Sequence, residues 1–260
     1  MPISLIIRPV NTNQLTFPKD LLNLPIDDPK VVDRFAAYLD SLASRSGRLQ
    51  ISTIYIGNEI DAYLEEDPEI WHAFMTFFEK AKDQVKKVFG SEMKVGTIGQ
   101  LDALINPATA DFFKNINKMT DMIGVTYYPL NDKFQVRDPK APTQDFSDLV
   151  KAYPNKPIYF NECGYPTSPI NKSSEEQQRD FIKQVFKAWD KHDGQIMHID
   201  FTWMHDLSAS SVNTLKEYYG VQSEEFGEYL RTLGFRTFEG YGRDKLGFIQ
   251  LKEELEKRGW

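Results

Sequence analysis

Short, almost continuously apolar runs recur along the whole chain, and this regularity constrains the fold more than any other feature of the sequence. Strands that are buried on both faces of a sheet need such continuous hydrophobicity, whereas half-exposed strands alternate apolar and polar residues. We therefore predict six buried strands. They are SLIIRPV (4–10), ISTIYIG (51–57), MKVGTIG (93–99), MIGVTYY (122–128), PIYFNE (157–162) and MHIDFTWM (197–204).

Amphipathic stretches with a helical period separate these runs. Residues 68–89, for example, begin with Pro68, which suits the first turn of a helix, and carry an aromatic stripe from Trp71 to Phe78 that we interpret as core packing. Strand–helix repetition of this kind predicts parallel strands joined by right-handed crossovers. The predicted helices cover residues 30–45, 68–89, about 107–117, 143–152, 173–192, 211–231 and 245–258.

Two α/β architectures accommodate this order of elements: a doubly wound open sheet and a TIM-type (β/α) barrel. No GxGxxG or P-loop glycine pattern follows the first run, as a nucleotide-binding open sheet would usually show. Polar or aromatic residues instead end nearly every run, and a barrel carries its active site at that face. They are Arg8, Asn58, Glu59, Gln100, Tyr127, Tyr128, Asn161, Glu162, Trp203 and Asp206. We therefore predict an α/β fold of the TIM-barrel type, forming one partial domain over residues 1–260 with about six recognisable strands.

Two glutamates, Glu59 and Glu162, end the second and the fifth run. Strand ends on one face of a barrel point into a shared bowl, so two such carboxylates can flank a single bond. Glycoside hydrolysis uses this arrangement: one carboxyl group protonates the leaving oxygen, and the other acts on the opposite side of the sugar. A separation of roughly 5–5.5 Å favours retention through a covalent intermediate, and roughly 6.5–9.5 Å leaves room for water and inversion.

Polar and aromatic residues near the two glutamates fit sugar binding. Asn58 is suited to a hydrogen bond with a sugar hydroxyl near the reacting carbon, and capping of the following turn is the alternative. Flat side chains can stack on sugar rings or orient the carboxylates. This group is Tyr127, Tyr128, Tyr165 and Trp203. Arg8 either contacts substrate or pairs with a carboxylate, and His205 is either a rim residue that touches sugar or a structural histidine.

The remaining reactive side chains favour neither a thiol nucleophile nor a metal centre. Cys163 is the one cysteine of the chain and has no histidine in an obvious Cys–His arrangement, so we predict a small buried filler. The four histidines show no HExxH or HxH spacing, and we predict no metal. We also predict no cofactor, because water is the only co-substrate that the reaction needs.

The motifs at the strand ends carry a resemblance to clan A glycoside hydrolases. IYIGNEID (54–61) resembles the Asn-Glu motif of their fourth strand, and PIYFNECGYPTS (157–168) resembles the motif of their seventh. GVTYYPL (124–130) and DFTWMHD (200–206) are similar to their sixth and eighth strands. Within the clan, the YYP and E-x-GYP motifs look most like arabinogalactan endo-β-1,4-galactanases and their uncharacterised bacterial relatives.

This resemblance implies a retaining β-glycosidase with Glu59 as acid/base, Glu162 as nucleophile and Trp203 as a substrate platform, acting on galactan. It also implies that the first run is the third strand of the family's barrel. The first two strands, and an Arg that supports the nucleophile, then have no counterpart. A shortened product, completion by another copy of the chain and a degenerate relative are three explanations. Because an open parallel barrel exposes strand edges, we expect a homo-oligomer more than we would for a closed barrel.

Composition limits the other function classes. A net charge of −7 without a Lys/Arg cluster argues against nucleic acid, and no apolar run long enough for a membrane span occurs. The N-terminus lacks a charged region and a small-residue cleavage site. We predict a soluble protein, cytoplasmic as written and secreted if cut from a longer precursor, with an oligo- or polysaccharide as partner. The alternative function is a catalytically inactive barrel that serves as a carbohydrate-binding or scaffold protein.

Overall fold

The computed structural model describes residues 3–47 and 49–260, and within them strands and helices alternate as the sequence predicts. Each of the six predicted runs forms a strand, and the third run is divided at Thr97 into two. One short extra strand, β2, pairs antiparallel with β1. The strands are β1 (Ile3–Asn11), β2 (Gln14–Leu15), β3 (Ile51–Asn58), β4 (Lys94–Gly96), β5 (Ile98–Gln100), β6 (Ile123–Tyr127), β7 (Ile158–Cys163) and β8 (Ile196–Phe201).

The helices confirm most of the predicted stretches, with one division and two short additions. They are α1 (Pro29–Ser46), α2 (Asp61–Leu64), α3 (Pro68–Phe89), α4 (Leu101–Ile105), α5 (Ala110–Asn117), α6 (Pro142–Ala152), α7 (Glu175–Lys191), α8 (Ala209–Tyr219), α9 (Glu224–Arg231) and α10 (Leu246–Arg258). The single helix predicted over 211–231 was wrong. Gly220, at φ +71°, ends α8, and the hydroxyl of Ser223 caps α9 by accepting the N–H of Phe226 at 3.1 Å.

The chain divides into two compact units. The first comprises residues 1–126 and 156–159, and the second comprises residues 127–155 and 160–260. Strands β6 and β7 each begin in the first unit and end in the second. The single domain over residues 1–260 stays a prediction.

Parallel strands and an aromatic helix face build the first unit. One sheet has the order β2-β1-β3-β4, with β3 parallel to both β1 and β4. Strand β5 pairs in parallel with β6, for example Gly99 with Val125. The predicted aromatic stripe of α3 is buried, which confirms its role in the core; its members are Trp71, Phe74, Phe77 and Phe78. The Trp71 indole N–H donates to the carbonyl of Glu65 at 2.9 Å.

The second unit contains the ends of β6 and β7, together with β8. The second sheet has the order β5-β6-β7-β8. Two backbone bonds continue its pairing beyond the strands: Gly164 N–H to the carbonyl of Tyr127 at 3.1 Å, and Thr202 N–H to that of Cys163 at 3.0 Å. Closely packed rings fill the core of this unit; the ring centroids of Phe146 and Phe160, for example, are 4.4 Å apart. These backbone hydrogen bonds hold the C-terminal ends of β6, β7 and β8 together.

Candidate active site

Glu59 directly follows β3 and is held by two hydroxyl groups of the first unit. Thr12 Oγ1 donates to Oε2 of its carboxylate at 2.8 Å, and Thr126 Oγ1 donates to Oε1 at 2.8 Å. Thr12 follows β1, and Thr126 lies in β6. Both carboxylate oxygens are therefore oriented by groups from two different strands.

The turn that carries Glu59 has an unusual backbone. Glu59 has φ +48°, a left-handed conformation that residues other than glycine rarely adopt. Gly57 has φ +89°, and a Cβ atom there would lie 2.5 Å from Cγ2 of Ile60, so glycine is required for this close approach. Asn58 is 4% exposed, with Nδ2 3.5 Å from Oδ1 of Asn11. Within the described residues, Oδ1 of Asn58 receives no hydrogen bond.

Asp61 lies two residues beyond Glu59 and was not predicted to take part in the site. Its Oδ1 accepts the backbone N–H of Gln100 at 3.0 Å. Burial raises the pKa of Asp61 to about 7; the N–H of Gln100 opposes this shift and the charge of Glu59 adds to it. This carboxyl group therefore titrates near neutral pH beside a second one.

Glu162 is the penultimate residue of β7, in the second unit, and Tyr128 donates its hydroxyl to Oε2 of Glu162 at 2.7 Å. Burial raises the pKa of Tyr128 well above its ordinary value, and the charge of Glu162 raises it further. The phenol is consequently a permanent hydrogen-bond donor. A Cβ atom on Gly164 would lie 2.8 Å from Cε1 of Tyr128, so the glycine of the E-x-G motif leaves room for this ring.

Trp203 joins Tyr128 against one apolar cluster of the second unit. The cluster consists of Phe226, Tyr229, Leu230 and Leu233. The peptide bond between Thr202 and Trp203 is cis. Of the predicted residues, the structure thus brings Tyr128 to Glu162 and to this cluster, and it brings Trp203 to the same cluster. His205, predicted to be either a rim residue or a structural histidine, is exposed and pairs through its backbone with Arg236.

The structure does not bring Tyr127 and Tyr165 to an open surface. Tyr127 is 2% exposed and donates its hydroxyl to Asp145 at 2.6 Å, and Tyr165 is 1% exposed and donates to the carbonyl of Arg137 at 2.6 Å. Successive residues of a strand point to opposite faces, which explains why Tyr127 enters the core while Tyr128 reaches Glu162. Neither buried ring presents a face on which a sugar could stack.

Arg8, the other residue predicted at the site, is exposed in the middle of β1. Within residues 3–47 and 49–260, no carboxylate forms an ion pair with Arg8. Its backbone carbonyl accepts a hydrogen bond from the hydroxyl of Thr16. Of the two roles predicted for Arg8, the structure therefore does not show the ion pair.

Cys163, next to Glu162, is fully buried, and burial raises the pKa of its thiol. It has the placement predicted for a small buried filler. Among the described residues, no group of three or more His, Cys, Asp or Glu side chains is arranged to hold a metal ion. In the same part of the chain, none of the helices combines the length and apolar character needed to cross a membrane.

A sequence model described as Glycosyl hydrolase family 53 matches residues 28–221, a range that contains both glutamates. No curated protein sequence matches the chain. Exo-beta-1,4-mannosidase Op5Man5 from Opitutaceae bacterium strain TAV5 superposes with a TM-score of 0.69 at 14% identity, over 95% of this chain and 44% of that one. GH5_18 from Streptomyces cattleya in complex with GlcNAc superposes with a TM-score of 0.68 at 16% identity, over 98% of this chain and 61% of that one.

The catalytic domain of GH53 from Ignisphaera aggregans gives a TM-score of 0.63 at 16% identity, over 93% of this chain and 69% of that one. These neighbours are TIM-barrel glycosidases, and the likeness confirms the predicted fold class. The chain spans 44% and 61% of the length of the mannosidase and of the Streptomyces protein.

Proposed function

Because the chain belongs to glycosyl hydrolase family 53, we propose that it hydrolyses glycosidic bonds in β-linked glycans. One observation carries this proposal: two glutamates that end buried strands each accept side-chain hydroxyl donors, Glu59 from two threonines and Glu162 from Tyr128. A carboxylate that merely faced solvent would not need such oriented donors. Pairs of oriented carboxyl groups are the chemical requirement of glycoside hydrolysis.

The proposed mechanism is a double displacement with retention. Glu162 attacks the anomeric carbon and forms a covalent glycosyl-enzyme, while Glu59 gives its proton to the leaving oxygen. Glu59 then takes a proton from water, whose oxygen attacks the same carbon and releases Glu162. The permanent donor Tyr128 suits a nucleophile that must be ionised. Threonine hydroxyls can donate to a carboxylate or accept from a carboxylic acid, which suits a group that alternates between the two.

Asn58 and Trp203 are the proposed sugar-binding residues. Oδ1 of Asn58 is buried and accepts no hydrogen bond from the described residues, so a sugar hydroxyl would complete its bonding. Trp203 is held against the apolar cluster and offers a flat ring to the apolar face of a sugar. Arg8 and His205, both exposed, are proposed as contacts with more distant parts of a glycan.

The proposed substrate is a β-1,4-linked galactan, in keeping with the galactanase-like motifs of the sequence. The mannosidase among the structural neighbours makes β-1,4-mannan the next polymer to assay. Hydrolysis of both should be followed by NMR of the fresh product, since a β-anomer identifies retention and an α-anomer identifies inversion.

The decisive variants are Glu59→Gln and Glu162→Gln. Each should lower kcat at least about 1,000-fold, because one protonating group or the nucleophile is lost. Glu66→Gln, which removes an exposed negative charge, is the matched control and should keep the wild-type rate. Turnover by either active-site variant at the wild-type rate would contradict the assignment.

Sugar binding without turnover is a second candidate function, favoured by a cavity of about 790 Å³ in the second unit. Two exposed rings line it, Tyr241 at 97% and Phe238 at 55%, beside the guanidinium group of Arg231. Exposed rings next to polar groups suit stacked sugars. If wild-type protein binds galactan in affinity electrophoresis without cleaving it, and Tyr241→Ala abolishes binding while Tyr38→Ala does not, this function replaces hydrolysis.

A further inference from the structure

Asp61 is joined to the turn that carries Glu59 and to the neighbouring strand β5. It is the first residue of α2 and is 8% exposed. Its Oδ1 accepts the N–H of Gln100 at 3.0 Å, and the preceding residue, Ile60, donates its own N–H to the carbonyl of Ile98 at 3.2 Å. Two consecutive residues therefore fasten the end of the turn to β5.

The start of the turn is fastened as well. The carbonyl of Asn58 accepts the N–H of Thr12 at 2.8 Å. Glu59 lies between these anchors with φ +48°. A left-handed backbone at a residue other than glycine persists only where its surroundings hold it, so the anchors determine where the carboxylate of Glu59 points.

The carboxyl group of Asp61 is also electrically coupled to Glu59. Among the described residues, the charge that acts on Asp61 is that of Glu59, and β5 presents the uncharged N–H of Gln100. Burial disfavours an ionised Asp61, and a negative Glu59 disfavours it further.

We propose that Asp61 is a positioning residue for Glu59: its carboxyl group ties the turn that carries Glu59 to β5. The catalytic consequence rests on the proposed hydrolase function. The anchoring of the turn to β5 does not rest on that function, since it concerns only the first unit of the free protein.

Two substitutions separate the tie from the charge. Asp61→Asn keeps an oxygen that can accept the N–H of Gln100 but carries no charge, whereas Asp61→Ala removes both. Glu66→Gln is the control, because it removes one negative charge from the exposed loop that follows α2.

Hydrolysis measures the catalytic consequence. Asp61→Ala should lower kcat about 10- to 100-fold and leave KM within about twofold, because the acid/base is misplaced while the sugar contacts remain. Asp61→Asn should keep kcat within about threefold of the wild type, because its amide oxygen can still accept the N–H of Gln100. Rescue by Asp61→Asn would show that the accepting oxygen, and not the charge, positions Glu59.

NMR measures the tie without any substrate. In Asp61→Ala, the amide hydrogens of Ile60 and Gln100 should exchange at least about tenfold faster, while the rest of the first unit stays protected. In Glu59→Gln, the carboxyl carbon of Asp61 should titrate at lower pH than in the wild type, because the neighbouring charge is gone.

The possible outcomes separate the two proposals. If wild-type protein cleaves no glycan but the amide and titration results hold, the proposed function fails and the tie stands. If wild-type protein cleaves glycan and Asp61→Ala keeps its kcat and its amide exchange, the role of Asp61 fails. Uniform loss of protection over the whole first unit, with equal changes in all kinetic constants, would also overturn that role.

Discussion

The two candidate carboxylates are held by different kinds of donor. Glu59 accepts two threonine hydroxyls, follows a left-handed turn and has the titratable Asp61 two residues away. Glu162 accepts the hydroxyl of Tyr128, whose pKa is raised by burial, and Cys163, which follows it in the chain, has a buried thiol with a raised pKa. Glu59 thus has partners that can change protonation or reverse a hydrogen bond, whereas the phenol of Tyr128 stays a donor to Glu162.

This difference indicates how one fold can give two carboxyl groups different tasks. A group that gives and takes protons benefits from partners that serve both of its states, and a nucleophile benefits from a partner that serves only the ionised state. The comparison therefore supports the proposed assignment of the acid/base to Glu59 and of the nucleophile to Glu162. Four experiments test this assignment.

The largest effect should come from removing each carboxylate and supplying azide. Glu59→Ala and Glu162→Ala should each lose at least about 1,000-fold in kcat. On an aryl β-glycoside, azide should rescue Glu162→Ala by displacing the aryl group directly and give the α-glycosyl azide. In Glu59→Ala, azide should attack the glycosyl-enzyme and give the β-azide. NMR identifies the anomers, and the reverse pattern would exchange the two roles.

The second effect concerns the stability of the region around Glu59. The pKa of Asp61 is about 7 in the folded protein against an ordinary 3.8, so its contribution is present below about pH 4 and is lost as the pH rises through 7. Relative to Asp61→Asn, the wild type should lose about 4 kcal/mol of unfolding free energy over this range. Urea unfolding at several pH values measures the difference.

That comparison with Asp61→Asn isolates one group, because the other carboxyl groups with shifted pKa values contribute equally to both proteins. Glu175, whose pKa is lowered by Arg243, is an example. A difference that stays constant between pH 4 and 8 would show that the pKa of Asp61 is not raised in the folded protein.

A smaller effect is expected at the phenol beside Glu162. Tyr128→Phe keeps the ring and removes the hydroxyl, so kcat/KM should fall about 10- to 100-fold, as for a hydrogen bond to a charged group. Tyr38→Phe removes a hydroxyl from a ring that is 51% exposed and should change nothing. An unchanged rate for Tyr128→Phe would mean that the phenol does not support Glu162.

The smallest effect should come from the threonines. Thr12→Val and Thr126→Val preserve shape and remove one donor each, which predicts a loss of about 3- to 10-fold in kcat for each. Serine at either position keeps the hydroxyl and should restore the rate. Because both hydroxyls bind one carboxylate, the double variant should depart from additivity. Strictly additive losses would argue against a shared partner.

Most of the fold follows from the sequence because strand and helix patterns are local. The six apolar runs became strands, and even the wrong helix over 211–231 had visible signals, since Gly220 is a common helix terminator and Ser223 is a common cap. The four-residue helix α2 and the five-residue α4 were missed, because such short segments carry too little periodicity.

The site was less predictable, because its side chains meet across long sequence distances. Thr12 and Thr126 look like ordinary β-branched strand residues until the structure shows their bonds to Glu59. Asp61 carries no motif signal that would set it apart from a first-turn helix residue. One feature of the site was predictable from the sequence. Side chains alternate between the two faces of a strand, so the adjacent Tyr127 and Tyr128 must point to opposite faces and only one of them can reach Glu162.

The thiol of Cys163 gives the molecule a built-in reporter. As the one cysteine of the chain, it is fully buried directly beside Glu162, so a thiol reagent can reach it only when the end of β7 opens. Its labelling rate in the folded protein therefore measures how often that strand end separates from its neighbours. Slower labelling in the presence of a glycan would reveal binding without any turnover, any mutation or any attached probe.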